Sequence, residues 1–246
     1  MAFRVNIGNR QLVPSLLGTV LAIAAIVAFI TLGRWQWARG EARELQWKAF
    51  ETGGGEAQAL GARSLENIER FQRVSIRGEF DELHQFLLDN TIREERAGYE
   101  VLTPFQLTDG RWMLVDRGWL PASGYRDRLP EVSLQTKGER EIPGRVDELP
   151  VAGLAQGRAA PASDASWPKV TSFPTSAELS AALGHKLEKR ILLLDPHAAD
   201  GYLREWQPPG LPPSRHFGYA IQWWAFAVAA LALWVVMSLH KRSPAV

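Results

Sequence analysis

Two long stretches of the chain carry no charge. Val13 to Gly33 reads VPSLLGTVLAIAAIVAFITLG, and Phe217 to Leu239 reads FGYAIQWWAFAVAALALWVVMSL. A helix needs about 20 apolar residues to cross a hydrocarbon core about 30 Å thick, and both runs are long enough. The first run has a rival reading as a cleaved signal peptide, with Arg4 and Arg10 as its basic start and Ala22-Ile23-Ala24 as a cleavage site. That site falls in mid-run, and the run outlasts the usual signal segment, so a retained anchor is expected. The rival reading of the second run is a buried core helix. Its length, Trp223, Trp224 and Trp234, and the basic stop His240-Lys241-Arg242 predict a span instead.

Between the spans the pattern changes. RWQWARGEARELQWKAF continues the first helix to about Phe50, and Thr52-Gly53-Gly54-Gly55 breaks it. Val74, Ile76, Gly78 and Phe80 then alternate with polar partners, as a half-buried strand does. His84 to Leu88 reads as a short strand. Tyr99, Val101, Thr103, Phe105 and Leu107 alternate again, Asp109-Gly110 signals a hairpin, and RWMLVDRGWL is the return strand. Further strands are expected at Arg140 to Leu149 and Arg190 to Leu194, with a surface loop over Ala152 to Ser166. A short helix is expected at Ser176 to Leu183, capped by Ser176 and closed by Gly184. Pro208, Pro209, Pro212 and Pro213 predict an extended spacer before the second span.

The expected class is an α+β membrane protein: two transmembrane helices, N-terminal and C-terminal, flanking a mostly antiparallel β domain. The expected boundaries are a tail at 1–12, a span at 13–33, a β-rich domain at 34–216, a span at 217–239 and a tail at 240–246. No internal repeat of 20–50 residues is visible.

Charge sharpens this picture without changing it. All 27 acidic residues lie between Glu41 and Glu205, and the tails outside the spans carry only Arg4, Arg10, Lys241 and Arg242. The middle therefore holds three more acidic than basic groups, which leaves no basic footprint for nucleic acid. For sidedness, Lys241 and Arg242 narrowly outweigh Arg215 at the second span. At the first span Arg34, Arg39, Arg43 and Lys48 outweigh Arg4 and Arg10. The charge rule weakens for long translocated segments, so it leaves the orientation open. The interiors of both spans lack ionisable residues, which argues against a proton or ion path. Gly18 with Ala22, Ala24 with Ala28 and Ala225 with Ala229 have the spacing that lets helices approach closely, and equally that of alanine-rich filler.

The absence of cysteine excludes disulfides, thiolate metal sites and covalent haem attachment through CxxCH. Walker, GxGxxG, GxSxG and HExxH motifs are missing too, so an enzyme is not expected. Asp89, Asp116 and Asp195 lie near strand ends, where turn and surface roles prevail. An enzymatic reading would revive only if Asp89, Asp116 and His197 shared a cleft. Arg117 at a strand end is expected to hold Asp116 or another carboxylate, and Gly118 to permit a turn. Trp119 is expected in the core; Trp119 and Tyr125 are alternative partner contacts.

Of the five histidines, His216 stands apart. It lies at the mouth of the second span beside Arg215, with Tyr219 and Trp223 following at helical spacing. Such a group suits a flat macrocycle bearing carboxylates, since neutral imidazole is a common haem ligand and arginine pairs carboxylates. The same residues also suit a simple interfacial anchor.

Six blocks then carry a resemblance. RHFGYAIQWWAFA (215–227) and LGRWQWAR (32–39) resemble the span signatures of the surfeit locus protein 1 family, with Leu32, Gly33, Trp35, Gln36 and Arg39 matching in the latter. FQRVSIRGEFD (71–81), LLDN (87–90), GYEVLTPF (98–105) and LVDRGWLP (114–121) follow in family order. The resemblance implies a non-enzymatic assembly factor for haem–copper cytochrome c oxidase that assists haem a insertion into subunit I. The alternative is a membrane scaffold that stabilises an oxidase intermediate and binds no cofactor. Implied partners are subunit I, other assembly factors and the lipid bilayer. Implied site residues are His216 as transient haem a ligand, Tyr219 and Trp223 beneath the ring, and Arg215 and Arg34 on its propionates. The resemblance also implies both termini in the cytoplasm and the β domain outside. Only about a dozen residues precede the first span, too few for a usual transit peptide. A bacterial inner membrane is therefore the expected location.

Overall fold

The computed structural model describes residues 5–7, 10–93, 95–124, 128–151, 159–164 and 166–241. In chain order these form β1 (Val5–Ile7), β2 (Arg10–Leu12), α1 (Leu16–Thr52), β3 (Gln58–Ala59), a 3₁₀ turn (Leu65–Asn67), β4 (Arg73–Phe80), β5 (Phe86–Arg93), β6 (Arg96–Leu107), β7 (Trp112–Pro121), β8 (Arg140–Glu148), β9 (Lys169–Thr171), α2 (Ser176–Leu183), β10 (Leu187–Leu194), α3 (Pro213–Ser238) and β11 (Leu239–Lys241). The chain divides into two compact units, Met1–Lys48 with Pro209–Val246, and Ala49–Pro208.

The first unit is a helix pair. Both helices are long and apolar enough to cross a membrane. At 1.5 Å per residue, α1 with 37 residues is about 55 Å long and α3 with 26 residues about 39 Å. α1 continues past residue 33 as its helix-forming sequence predicts. α3 begins at Pro213, not at Phe217: Pro212 is the N-cap and Pro213 takes the first turn, where its missing N–H costs nothing. The proline-rich spacer thus ends inside the helix.

The pair is built on small residues opposite large rings. Gly33 and Gly40 are buried, and a Cβ on either would overlap the Trp224 indole or the Phe217 ring. Two glycines seven residues apart therefore receive two aromatic residues seven apart, with Ala220 and Ala227 buried beside them. Trp37 packs on both rings, 4.7 Å from Phe217 and 5.6 Å from Trp224. Phe29 stacks on Trp223 at 5.7 Å. Farther along, Trp234 Nε1 donates to Thr19 Oγ1 at 3.1 Å. The close approach is made by Gly33 and Gly40. Gly18, Ala22, Ala25 and Ala230 instead line an apolar groove of about 630 Å³. β1, β2 and β11 form a small sheet joining the two chain ends of this unit.

The second unit is a β barrel. β4, β8, β10, β7 and β6 pair in a ring that closes where β4 meets β6, so these strands present no open edge. β5 and β9 extend the sheet beyond β6, and β3 flanks β4. Most pairings are antiparallel, as expected. The β10–β7 pair is parallel, and so are β3–β4 and β5–β9. The hairpin at Asp109-Gly110 joins β6 and β7, with Gly110 at φ 86°. β5 runs from Phe86 to Arg93, displaced from the expected His84 to Leu88. Its last three residues, TIR, include the exposed Ile92 and pair with β6 through Arg96, Ala97 and Gly98. The α2 cap is Thr175, not Ser176: Thr175 and Glu178 bond each other's backbone in a capping box. The expected loop at 152–166 falls largely outside the described residues, and β9 follows it.

The barrel core is aliphatic and aromatic, with Val74, Ile76, Phe105, Met113, Val115 and Leu192 at its centre. Arg117 is buried as well, 1% exposed.

Candidate functional site

Two polar clusters have the chemistry of a site. The first lies on the helix pair. His216 sits in the opening turn of α3, half-buried. Its Nδ1 lies 2.9 Å from Gln36 Oε1 on α1. A glutamine carbonyl only accepts, so in the neutral ring this contact selects the tautomer with the proton on Nδ1, which donates to it. Nε2 then holds a free lone pair. Among the described residues, no other polar contact ties the ring.

The remaining residues sort by flank. Successive residues of a helix are turned by about 100°. On α3, Tyr219 and Trp223 follow His216 at +3 and +7, on the same side; Tyr219 is exposed and Trp223 half-buried against Phe29. Phe226 joins this aromatic group, 5.8 Å from both Phe29 and Trp223. Arg215 is exposed in the same turn as His216. The positive end of the helix dipole at that turn and the Arg215 guanidinium both favour a negative partner.

Arg34 is not brought to this group. It precedes Gln36 by two residues, about 200° round the helix, and lies instead at −3 from Trp37, on the flank of Phe217 and Trp224. Arg39, three residues after Gln36 and about 60° from it, shares the His216 flank. Arg39 is exposed, and no carboxylate pairs with it among the described residues. Gln36 and Arg39 were both visible in the LGRWQWAR block. The signal that places them is the match of Gly33 and Gly40 to Trp224 and Phe217.

The second cluster is buried in the barrel. Arg117 does not hold a carboxylate. Its guanidinium donates to Asp200 O at 2.6 Å, Val132 O at 2.8 Å and Gln85 Oε1 at 2.9 Å, and lies over the Tyr202 ring at 5.0 Å. Burial holds its pKa below the usual arginine value. Asp116 accepts from Gly118 N at 2.9 Å. Burial, and then the nearby Glu100 carboxylate, push Asp116 well above the usual carboxylate range. Glu100 is raised by burial as well, against the pull of Arg93, whose guanidinium lies 2.8 Å away. Gly118 is not in a turn. It sits inside β7 at φ 103°, in a bulge opposite β6, where a Cβ would meet Leu203 O at 2.6 Å. Trp119 is 5% exposed and in the core. Tyr125 lies outside the described residues.

These contacts make a structural lock. Arg117 ties β7 to the segments around Val132 and Asp200, and the bulge admits the chain at Leu203. The residues of a possible enzymatic cleft are not gathered: His197 lines a cleft with Arg73, Arg145 and Asp195 that contains neither Asp89 nor Asp116. Among the described residues, no group of three metal-ligating side chains forms.

The chain thus forms two units, a closed β barrel and a pair of outwardly apolar helices, with an imidazole on one helix held by a glutamine on the other. That class has a particular member here. The SURF1 family model matches residues 23–228, and the chain belongs to the SURF1 family. This is a family of cytochrome oxidase assembly factors rather than of enzymes. The match includes all six sequence blocks quoted above. No individually curated protein matches the chain.

Proposed function

We propose that this protein holds haem a transiently on its helix pair and assists its insertion into subunit I of cytochrome c oxidase. The observation that carries this reading is the His216–Gln36 contact. It joins the two helices at their signature blocks and leaves imidazole Nε2 as a bare donor. The surroundings fit the cargo. Tyr219, Trp223 and Phe226 offer an apolar aromatic wall for a macrocycle. Arg215, Arg39 and the first turn of α3 offer positive charge for its propionates. One protein ligand and exposed surroundings suit a cargo that must leave again. Haem a, once delivered, supplies the oxidase with its redox centre; this chain only binds and orients it.

The apolar faces of the helices support a membrane location, and the family resemblance supports its sidedness. The outer faces of α1 and α3 are apolar, with Leu16 83% and Met237 71% exposed, a pattern that suits lipid. Both helices then span a bacterial inner membrane, with both termini cytoplasmic and the barrel periplasmic. About 20 residues of α1 suffice to cross. Partners are subunit I, other assembly factors and the bilayer, with no role for nucleic acid.

A deletion strain tests this reading. Oxidase purified from it should lack haem a. Oxidase with normal activity and full haem content would contradict both cargo binding and assembly assistance.

A further inference from the structure

Resting on the haem reading above, we propose that Gln36 is a positioning residue for His216: it fixes the ring's tautomer and rotation so that Nε2 faces the cargo. An exposed neutral imidazole exchanges its proton between Nδ1 and Nε2 and turns about its side-chain bonds. A ligand with both freedoms loses entropy on binding, and part of its neutral population carries the proton on the wrong atom. The 2.9 Å bond from Nδ1–H to Gln36 Oε1 removes both freedoms. It also makes Nε2 more basic, as a hydrogen-bonded outer partner does for a ligating histidine.

Gln36 is well placed for this task. It lies in the two helix turns between Gly33 and Gly40, the glycines that receive the Trp224 and Phe217 rings of α3. Substituting either glycine moves the ring away from its partner. The glycines, the rings they receive and the glutamine therefore act together: packing sets the helix separation, and the separation sets the imidazole. A glutamine serves better than a carboxylate in a site that must release its cargo. It orients the ring without giving it the anionic character that strengthens an iron bond.

The test uses the full-length chain in nanodiscs, with ferric haem added as the probe. Binding is followed by absorption, and the reduction potential of the bound haem is measured. Gln36→Leu should bind about 10–100-fold more weakly. Gln36→Glu should restore binding and lower the potential, because a carboxylate pulls harder on Nδ1–H and stabilises the ferric state. A purely structural role for Gln36 would not move the potential, and Gln36→Glu still reports if Gln36→Leu fails to fold. Unchanged affinity, spectrum and potential in both variants, with binding still lost in His216→Ala, would overturn the role of Gln36 and leave the haem reading standing. Wild-type haem binding that His216→Ala does not alter would overturn both.

Discussion

The barrel and the helix pair are organised in opposite ways. In the barrel the apolar side chains point inward, and a buried arginine with its acceptors ties loops to strands. In the helix pair the apolar side chains point outward, and glycines with aromatic rings make the inner seam. A barrel in water is stabilised by hiding apolar area. Two helices gain little that way if lipid surrounds them, so close packing and a few hydrogen bonds must hold them. Each unit should therefore fail through a different kind of substitution, and the failure of one should spare the other.

The largest effect is expected in the barrel. Arg117→Ala strands several buried acceptors, each costing about 1–3 kcal/mol. The barrel should lose about 3–5 kcal/mol in chemical denaturation of the full chain, while the helical signal of α1 and α3 stays. Loss of both signals together would break the comparison.

Gly33→Leu is the reciprocal substitution. A side chain forced against the Trp224 indole should cost the helix pair about 1–3 kcal/mol. The chain has no native cysteine, so spin labels at Leu21→Cys and Val236→Cys can report the helix separation directly. The distance should lengthen while the barrel denatures at the wild-type midpoint. An unchanged distance would mean that the seam is not where the glycines place it.

A smaller effect concerns pH. Asp116 has a raised pKa in the folded barrel, so folding takes up a proton there. Its contribution to stability is complete below the ordinary carboxylate pKa of about 4 and is lost as pH rises through the raised folded value. Asp116→Asn keeps the acceptor for Gly118 N and cannot ionise. Its denaturation midpoint should fall less than that of wild type as pH rises from 4 to neutrality, with Glu100 supplying the slope that remains. Parallel curves would show that Asp116 does not titrate in this window.

The smallest effect separates two arginines on one helix. Arg39→Gln should weaken haem binding several-fold at low salt, and Arg34→Gln should not. The reverse order would place the cargo on the Trp37 flank.

What the sequence revealed depends on how local the determining forces are. The two spans follow from uninterrupted apolar length. β4, β6 and β7 follow from alternation and from Asp109-Gly110. The cap of α2 was readable as well, since Glu178 stands three residues after Thr175 and completes a capping box; reading Ser176 alone obscured it. The last residues of β5 and the parallel β10–β7 pair were not readable, because partners elsewhere in the sheet decide them. The site divides in the same way. His216, Arg215, Tyr219 and Trp223 lie within one short segment and emerge from helical spacing. Gln36 and Arg39 belong with them only because two helices pack in one register, which no single-helix pattern contains. Arg34, expected on the propionates, falls on the other flank in that register, and Arg39 takes its place.

The central claim is that His216 carries haem a on this helix pair. The most direct measurement is the absorption spectrum and haem content of the full-length protein, purified from cells that make haem a, beside its His216→Ala variant. The wild type should carry haem a with a histidine-ligated spectrum, and the variant should lose most of the pigment or show a changed spectrum. Equal haem content and identical spectra in the two proteins would contradict the claim.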